Sequence, residues 1–204
     1  MASGSYARVF RTARIFLAVP LLSLSLAGCG VNDIPTDQQQ AQAKWSDVLN
    51  EYQRRSDLIP NLVATVKGYA QQERTVLEAV TTERALATSI QVNANTITDP
   101  VAFKKFEDAQ AQLSSGLGRL LAISENYPDL KSNQNFLVLQ SQLEGTENRI
   151  AVARHDYIDA VRQYNTDLTT FPDRIWASLL YTNAKPMQEF TVDNSVTQTP
   201  KVQF

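Results

Sequence analysis

From residue 36 onward, apolar residues recur at intervals of three and four with polar residues between them. This is the period of amphipathic helices. The clearest run is Phe136, Leu139, Leu143, Thr146, Ile150, Ala153, Tyr157, Ala160 and Tyr164. It alternates the two spacings without a break and makes a heptad seam over about four repeats. At 1.5 Å per residue, 133–169 would form a rod on the order of 55 Å. Shorter stripes precede it: Ala41, Trp45, Val48, Leu49, Tyr52 and Ile59 in 36–59; Leu62, Val66, Tyr69, Val76 and Val80 in 60–89; then Phe103, Phe106, Leu113, Leu117, Leu120 and Tyr127. Helices in a folded protein owe most of their stability to packing of an apolar face rather than to propensity, so these stripes must cover one another. The expectation is an all-α fold, an antiparallel helical bundle of about four long helical segments.

Prolines punctuate the pattern at Pro60, Pro100, Pro128 and Pro172. Proline suits a first helical turn and is penalised inside. Asp99-Pro100 therefore reads as an N-cap with proline at the first helical position. Pro60 leaves two readings open, a reversal of the chain or a kink in one long helix. Residues 29–42 hold Pro35, Asp37 and three consecutive glutamines, and read as a tether. The helical body is expected over 43–181, with a short added helix from 173, and 182–204 as an extended or disordered tail.

The first 28 residues have the layout of a secretory signal: Arg8, Arg11 and Arg14, then an apolar run over 15–26 that is too short to span a bilayer as a helix. The run ends in Leu26-Ala27-Gly28-Cys29, which resembles a bacterial lipobox and holds the only cysteine of the chain. The resemblance implies cleavage before Cys29 and lipidation of its sulfur and new amino group. Several acyl chains would suffice for stable anchoring. Gly30 stands where an inner-membrane retention signal would place Asp, which favours the outer membrane, periplasmic side, in a diderm host. The expected location is thus a membrane-anchored lipoprotein facing outside the cytoplasm.

The net charge of −2 lowers the prospect of nucleic-acid binding and becomes more negative by three once the signal arginines are removed. One cysteine and one histidine exclude a disulfide framework and a multi-His metal site. His155 has Asp156 and Asp159 nearby but no framed nucleophile, and reads as a solvated helix residue. Glu144 and Glu147 lack the histidines of a di-iron bundle site. Gly116 and Gly118 have no preceding strand to make a phosphate loop, so a bend or close helix packing is expected. No catalytic, cofactor or metal site is predicted. Four polar residues fall at core positions, Glu73, Gln110, Thr146 and Arg55. Burial would oblige Glu73 to find a partner such as Arg149 or Lys67.

Two blocks then resemble a known family. The first runs Arg54-Arg55-Ser56-Asp57-Leu58-Ile59-Pro60-Asn61-Leu62-Val63 and on through Lys67, Tyr69 and Ala70 to Glu73. The second begins Tyr127-Pro128-Asp129-Leu130-Lys131 and continues through Phe136, Leu143-Glu144, Thr146-Glu147-Asn148-Arg149-Ile150-Ala151, Arg154 and Tyr157 to Phe171-Pro172. Both are similar to the LemA family of bacterial membrane-associated proteins. The resemblance implies an α-helical bundle with an N-terminal membrane anchor and no established enzymatic activity. Gln72 stands where a histidine is common, which weakens any shared metal or acid–base role. The blocks contain polar residues that a generic bundle does not need: Asp57, Asn61, Lys67 and Glu73, then Asp129, Glu147, Asn148, Arg149 and Arg154. Asp57, Asn61 and Asp129 are expected at helix ends as caps. The mid-helix residues are expected either to form a buried ionic layer with Lys67 and Glu73, the favoured alternative, or to face a partner. The functional expectation is a lipid-anchored envelope interaction or scaffold protein, with an envelope protein as partner. By family analogy that partner is associated with a membrane protease. The alternative is a carrier holding an apolar or anionic ligand between helices.

Overall fold

A computed structural model of the chain describes residues 30–93 and 95–191. Cys29, the signal region and 192–204 lie outside the described residues. Six α-helices are present among the described residues: α1 (Asp33–Tyr69), α2 (Arg74–Ser89), α3 (Pro100–Ile123), α4 (Pro128–Lys131), α5 (Gln134–Thr169) and α6 (Asp173–Leu179). No strand occurs among them. The caps follow the sequence. Asp99 accepts from the backbone N–H of Val101 and Ala102 at 2.9 and 3.2 Å, and Asn133 accepts from Phe136 at 3.0 Å.

α1 and α5 are antiparallel partners along most of their length. Lys44 meets Asp156, Glu51 meets Arg149, Arg55 meets Glu147, and Tyr69 meets Asn133. The buried face of α5 is the heptad seam, with only Leu139 left half-buried. α2 folds back onto α3, where Gly116 lets the Glu83 carboxylate sit against the backbone. A Cβ there would lie 1.7 Å from Glu83 Oε2, so Gly116 marks close packing, as its helical setting suggests.

Two boundaries differ from expectation, and at Pro60 one of the two open readings holds. The tether does not persist to residue 42, because α1 begins at Asp33 and buries Ile34 and Ala41 in line with Trp45 and Val48. The glutamines are good helix formers and remain outside that stripe. Pro60 neither ends nor reverses the helix, which continues to Tyr69. Proline removes the N–H that would serve the carbonyl of Ser56. Arg84 of α2 replaces it, donating from Nε to that carbonyl at 2.8 Å. Finally, the segment 182–191 is irregular but belongs to the core. Met187 and Phe190 are buried, and Asn165 of α5 pairs with both backbone groups of Met187 at 2.9 Å.

The apolar interior has two parts. One lies between α1, α2, α3 and the first half of α5, around Ile59, Val66, Leu113 and Leu120. The other is aromatic: Trp45 has the rings of Phe103, Phe106, Tyr157 and Phe190 within 5.2–5.9 Å. The polar site lies between these two.

Candidate functional site

Arg55 follows Tyr52 and precedes Ile59 on the inward stripe of α1, which carries its side chain into the interior at 1% exposure. A buried cation is tolerated only when paired and hydrogen-bonded, and the neighbouring helices supply the partners. Nη1 donates to Ser114 Oγ at 2.7 Å and to Glu147 Oε1 at 3.0 Å. Nη2 donates to Gln110 Oε1 at 2.6 Å and, more weakly, to the Gln110 carbonyl at 3.4 Å. Gln110 and Ser114 are four apart on α3, so they share a face. The guanidinium also lies 5.0 Å from the Tyr52 ring centroid. One arginine thus ties α1, α3 and α5 together. Its Nε is buried and has no hydrogen-bond partner among the described residues.

Arg55 lies at the base of a cleft of about 890 Å³. Lys104, Glu107 and Asp108 of α3 form one wall, Glu147 and Arg154 of α5 the other, and Phe190-Thr191 close one side. Arg154 stacks its guanidinium over the Phe190 ring at 4.3 Å, a cation–π contact. Glu107 accepts from the Thr191 N–H at 3.4 Å. Burial pushes the Glu107 carboxyl above its ordinary value, against the pull of that N–H, Arg154 and Lys104. Burial also pushes the Tyr52 hydroxyl upward. Two cations, Lys104 and Arg154, and three carboxylates, Glu107, Asp108 and Glu147, line the opening. Such a surface offers charge and hydrogen-bonding groups, and among the described residues no group of three His, Cys, Asp or Glu side chains is placed to hold a metal ion.

A profile of the LemA family matches residues 44–204, and this stretch contains every residue of the cleft. The chain belongs to the LemA family. It is 26% identical to the magnetosome protein MamQ 2 of Paramagnetospirillum magneticum, over 83% of this chain and 67% of that one. It is also 26% identical to the magnetosome protein MamQ of Magnetospirillum gryphiswaldense, over 78% and 66%. Against the protein LemA of Metamycoplasma hominis the identity is again 26%, over 69% of this chain and 60% of the relative. The chain thus spans about two thirds of the length of the relatives it matches.

The LemA-family blocks contribute to the cleft unevenly. Glu147 and Arg154 line it, and Arg55, Gln110 and Thr146 are buried as their core positions imply. The favoured ionic layer of Lys67, Glu73 and Arg149 with Glu147 does not form. Lys67 is exposed, and Glu73 accepts instead from the Tyr127 hydroxyl at 3.1 Å. Arg149 is 43% exposed and pairs with Glu51 at 3.0 Å. Its position one residue before Ile150 turns it about 100° off the seam, to the helix edge. With exposed Asn148 it borders a second groove, of about 440 Å³, on the outer side of the α1–α5 seam. Asp57 and Asn61 are exposed and lie mid-helix rather than at an end, because α1 runs through Pro60. Asp57 accepts from Gln53, and Asp129 lies in the first turn of α4 with no side-chain cap bond. His155 is 76% exposed and faces Asp159. Sequence reasoning passed over Lys104, Glu107, Asp108 and Phe190. The first three are a charge cluster spaced three and four on α3, a pattern indistinguishable from a solvated face until the third wall is known.

Proposed function

We propose that this chain is a membrane-tethered scaffold of the cell envelope, an antiparallel helical bundle held to the bilayer by lipid on Cys29. In a diderm host it would stand on the periplasmic side of the outer membrane. The cleft at Arg55 is its partner site, and an envelope protein segment bearing both charges is the partner that fits it. The observation that carries this reading is the mixed-charge opening over a buried arginine. LemA-family membership and likeness to proteins named for the magnetosome support a membrane-associated scaffold. The lipobox-like Leu26-Ala27-Gly28-Cys29 supports the mode of attachment. Among the described residues no helix is long and apolar enough to cross a membrane.

The test is affinity capture from detergent-solubilised envelope by the full chain, its Lys104→Glu/Arg154→Glu variant and an Arg149→Ala control. The reading expects the double variant to lose the captured protein while remaining helical and folded at the assay temperature by circular dichroism, and the control to keep it. Equal capture by all three sinks it. A second reading, a carrier of an anionic ligand, draws on the partnerless Nε of Arg55. A saturable rise in melting temperature on titration with a fatty acid would favour it.

A further inference from the structure

The inner side of α6 and the turn after it pack Trp176, Ala177 and Tyr181 against the aromatic core. Its outer side presents Phe171, Ile175, Leu179 and Leu180, exposed by 81, 44, 67 and 59%. Four large apolar side chains gathered on one short helix and its flanks need an explanation that scattered surface residues do not.

The chain that follows Cys29 explains what covers them. Gly30 lies so close to the first residue of α6 that an added Cβ would meet Asp173 Oδ1 at 2.3 Å, and its φ of 99° is one glycine adopts freely. One residue on, the Val31 carbonyl accepts from the Tyr181 hydroxyl at 2.9 Å, just past the other end of α6. The start of the body therefore lies against the first residue of this helix and is hydrogen-bonded to the turn just past its other end. An extended residue spans at most about 3.6 Å, so a lipidated Cys29 brings the bilayer within a few ångströms of Gly30. We propose that the outer face of α6 docks on the lipid bilayer and fixes the orientation of the body on the membrane. This rests on the lipid-anchored reading above and adds to it a defined contact surface.

Charge narrows the kind of bilayer. Asp33 and Asp37 of α1, Asp167 of α5 and Asp173 of α6 act on one another beside Gly30. Asp167 is buried, but Asp33, Asp37 and Asp173 outnumber the exposed Arg174 of α6, so this end disfavours anionic headgroups and suits a zwitterionic layer. The contact is apolar insertion, as with interfacial helices, without the usual basic face.

The lipidated full chain is reconstituted into phosphatidylcholine vesicles that carry a nitroxide-labelled phosphatidylcholine. Leu179→Trp and Val152→Trp place indoles on α6 and about 22 Å along α5 from Asp167. Fluorescence in excess of the wild-type chain is read with and without the quencher, and association is read by flotation. Docking predicts that the chain floats, that the Leu179→Trp signal is quenched at least twofold, and that the Val152→Trp signal is not. Adding phosphatidylglycerol should weaken the quenching. A floating chain with equal, weak quenching at both sites overturns the docking and leaves the anchor intact. A chain that stays at the bottom of the gradient overturns both. Concentration-dependent dimers abolished by Leu179→Ser would assign the face to a second copy and also overturn it.

Discussion

At the scale of single residues, Arg55 of the first LemA-family block and Arg149 of the second have opposite weights. Arg55 is enclosed, and removing it leaves the buried Gln110 amide without its donor and Glu147 without its cation. Glu147 is 41% exposed and keeps some solvation, so Arg55→Ala should cost about 1–3 kcal/mol, the loss expected for a buried polar group left unsatisfied. Arg149 and Glu51 are partly solvated, and Arg149→Ala should cost no more than about 1 kcal/mol. Urea titrations of both variants check the contrast. Asp167 carries a pH dependence. Burial first, then Asp37, Asp173 and Asp33, raise its carboxyl from 3.8 to about 7. The native state then holds a proton that the unfolded chain releases above 3.8. Stability should therefore fall as pH rises from about 4 to 7 and level off beyond. Asp167→Asn keeps an acceptor for Gln163 Nε2, now 3.0 Å from Asp167 Oδ1. It should flatten that slope and raise the melting temperature at pH 8. Gln163→Asp should lower it there, although the heptad pattern alone would treat Gln163 as an indifferent outer position.

At the scale of elements, the seam of α5 was legible because nine residues repeat one spacing and nothing interrupts them. Pro60 was not legible, because its compensation lies elsewhere: the carbonyl it strands is served by Arg84, on another helix. The two should be coupled. Arg84→Ala alone leaves the Ser56 carbonyl unserved in a buried residue and should cost about 1–3 kcal/mol. In a Pro60→Ala background the backbone N–H of residue 60 takes over, and the same Arg84→Ala change should cost at least 1 kcal/mol less. A double-mutant cycle measures the difference, and simple additivity would refute the replacement. The early start of α1 was missed for a related reason. Pro35 and the glutamines look like a spacer, yet Ile34 and Ala41 continue the stripe at a spacing of seven. The cleft was half legible. Arg55, Gln110 and Thr146 stood out as polar residues at core positions, but which cation was enclosed depended on helix rotation, and periodicity alone did not fix it.

At the scale of the whole molecule, the segment after α6 decides how far the core reaches. It has no period, since Met187 and Phe190 are inserted singly while Asn165 and Tyr157 satisfy the backbone between and beside them. Composition therefore made it look like a free tail. Phe190 nevertheless has the rings of Trp45, Phe103 and Tyr157 at 5.9, 5.1 and 5.6 Å, besides Arg154 on its face. Phe190→Ala should open a cavity in the aromatic core at a cost of about 3–5 kcal/mol. Phe171 is the same residue type on the outer side of α6, 81% exposed, and Phe171→Ala should stay within about 0.5 kcal/mol in detergent. The pair isolates position from chemistry, and urea midpoints at constant m-value read it directly. Because Phe190 also supports Arg154, its loss should weaken partner capture while leaving flotation intact, whereas Phe171→Ala should keep capture and weaken bilayer docking. A Phe190→Ala chain as stable as the wild type would place the segment outside the core and leave the cleft without that wall.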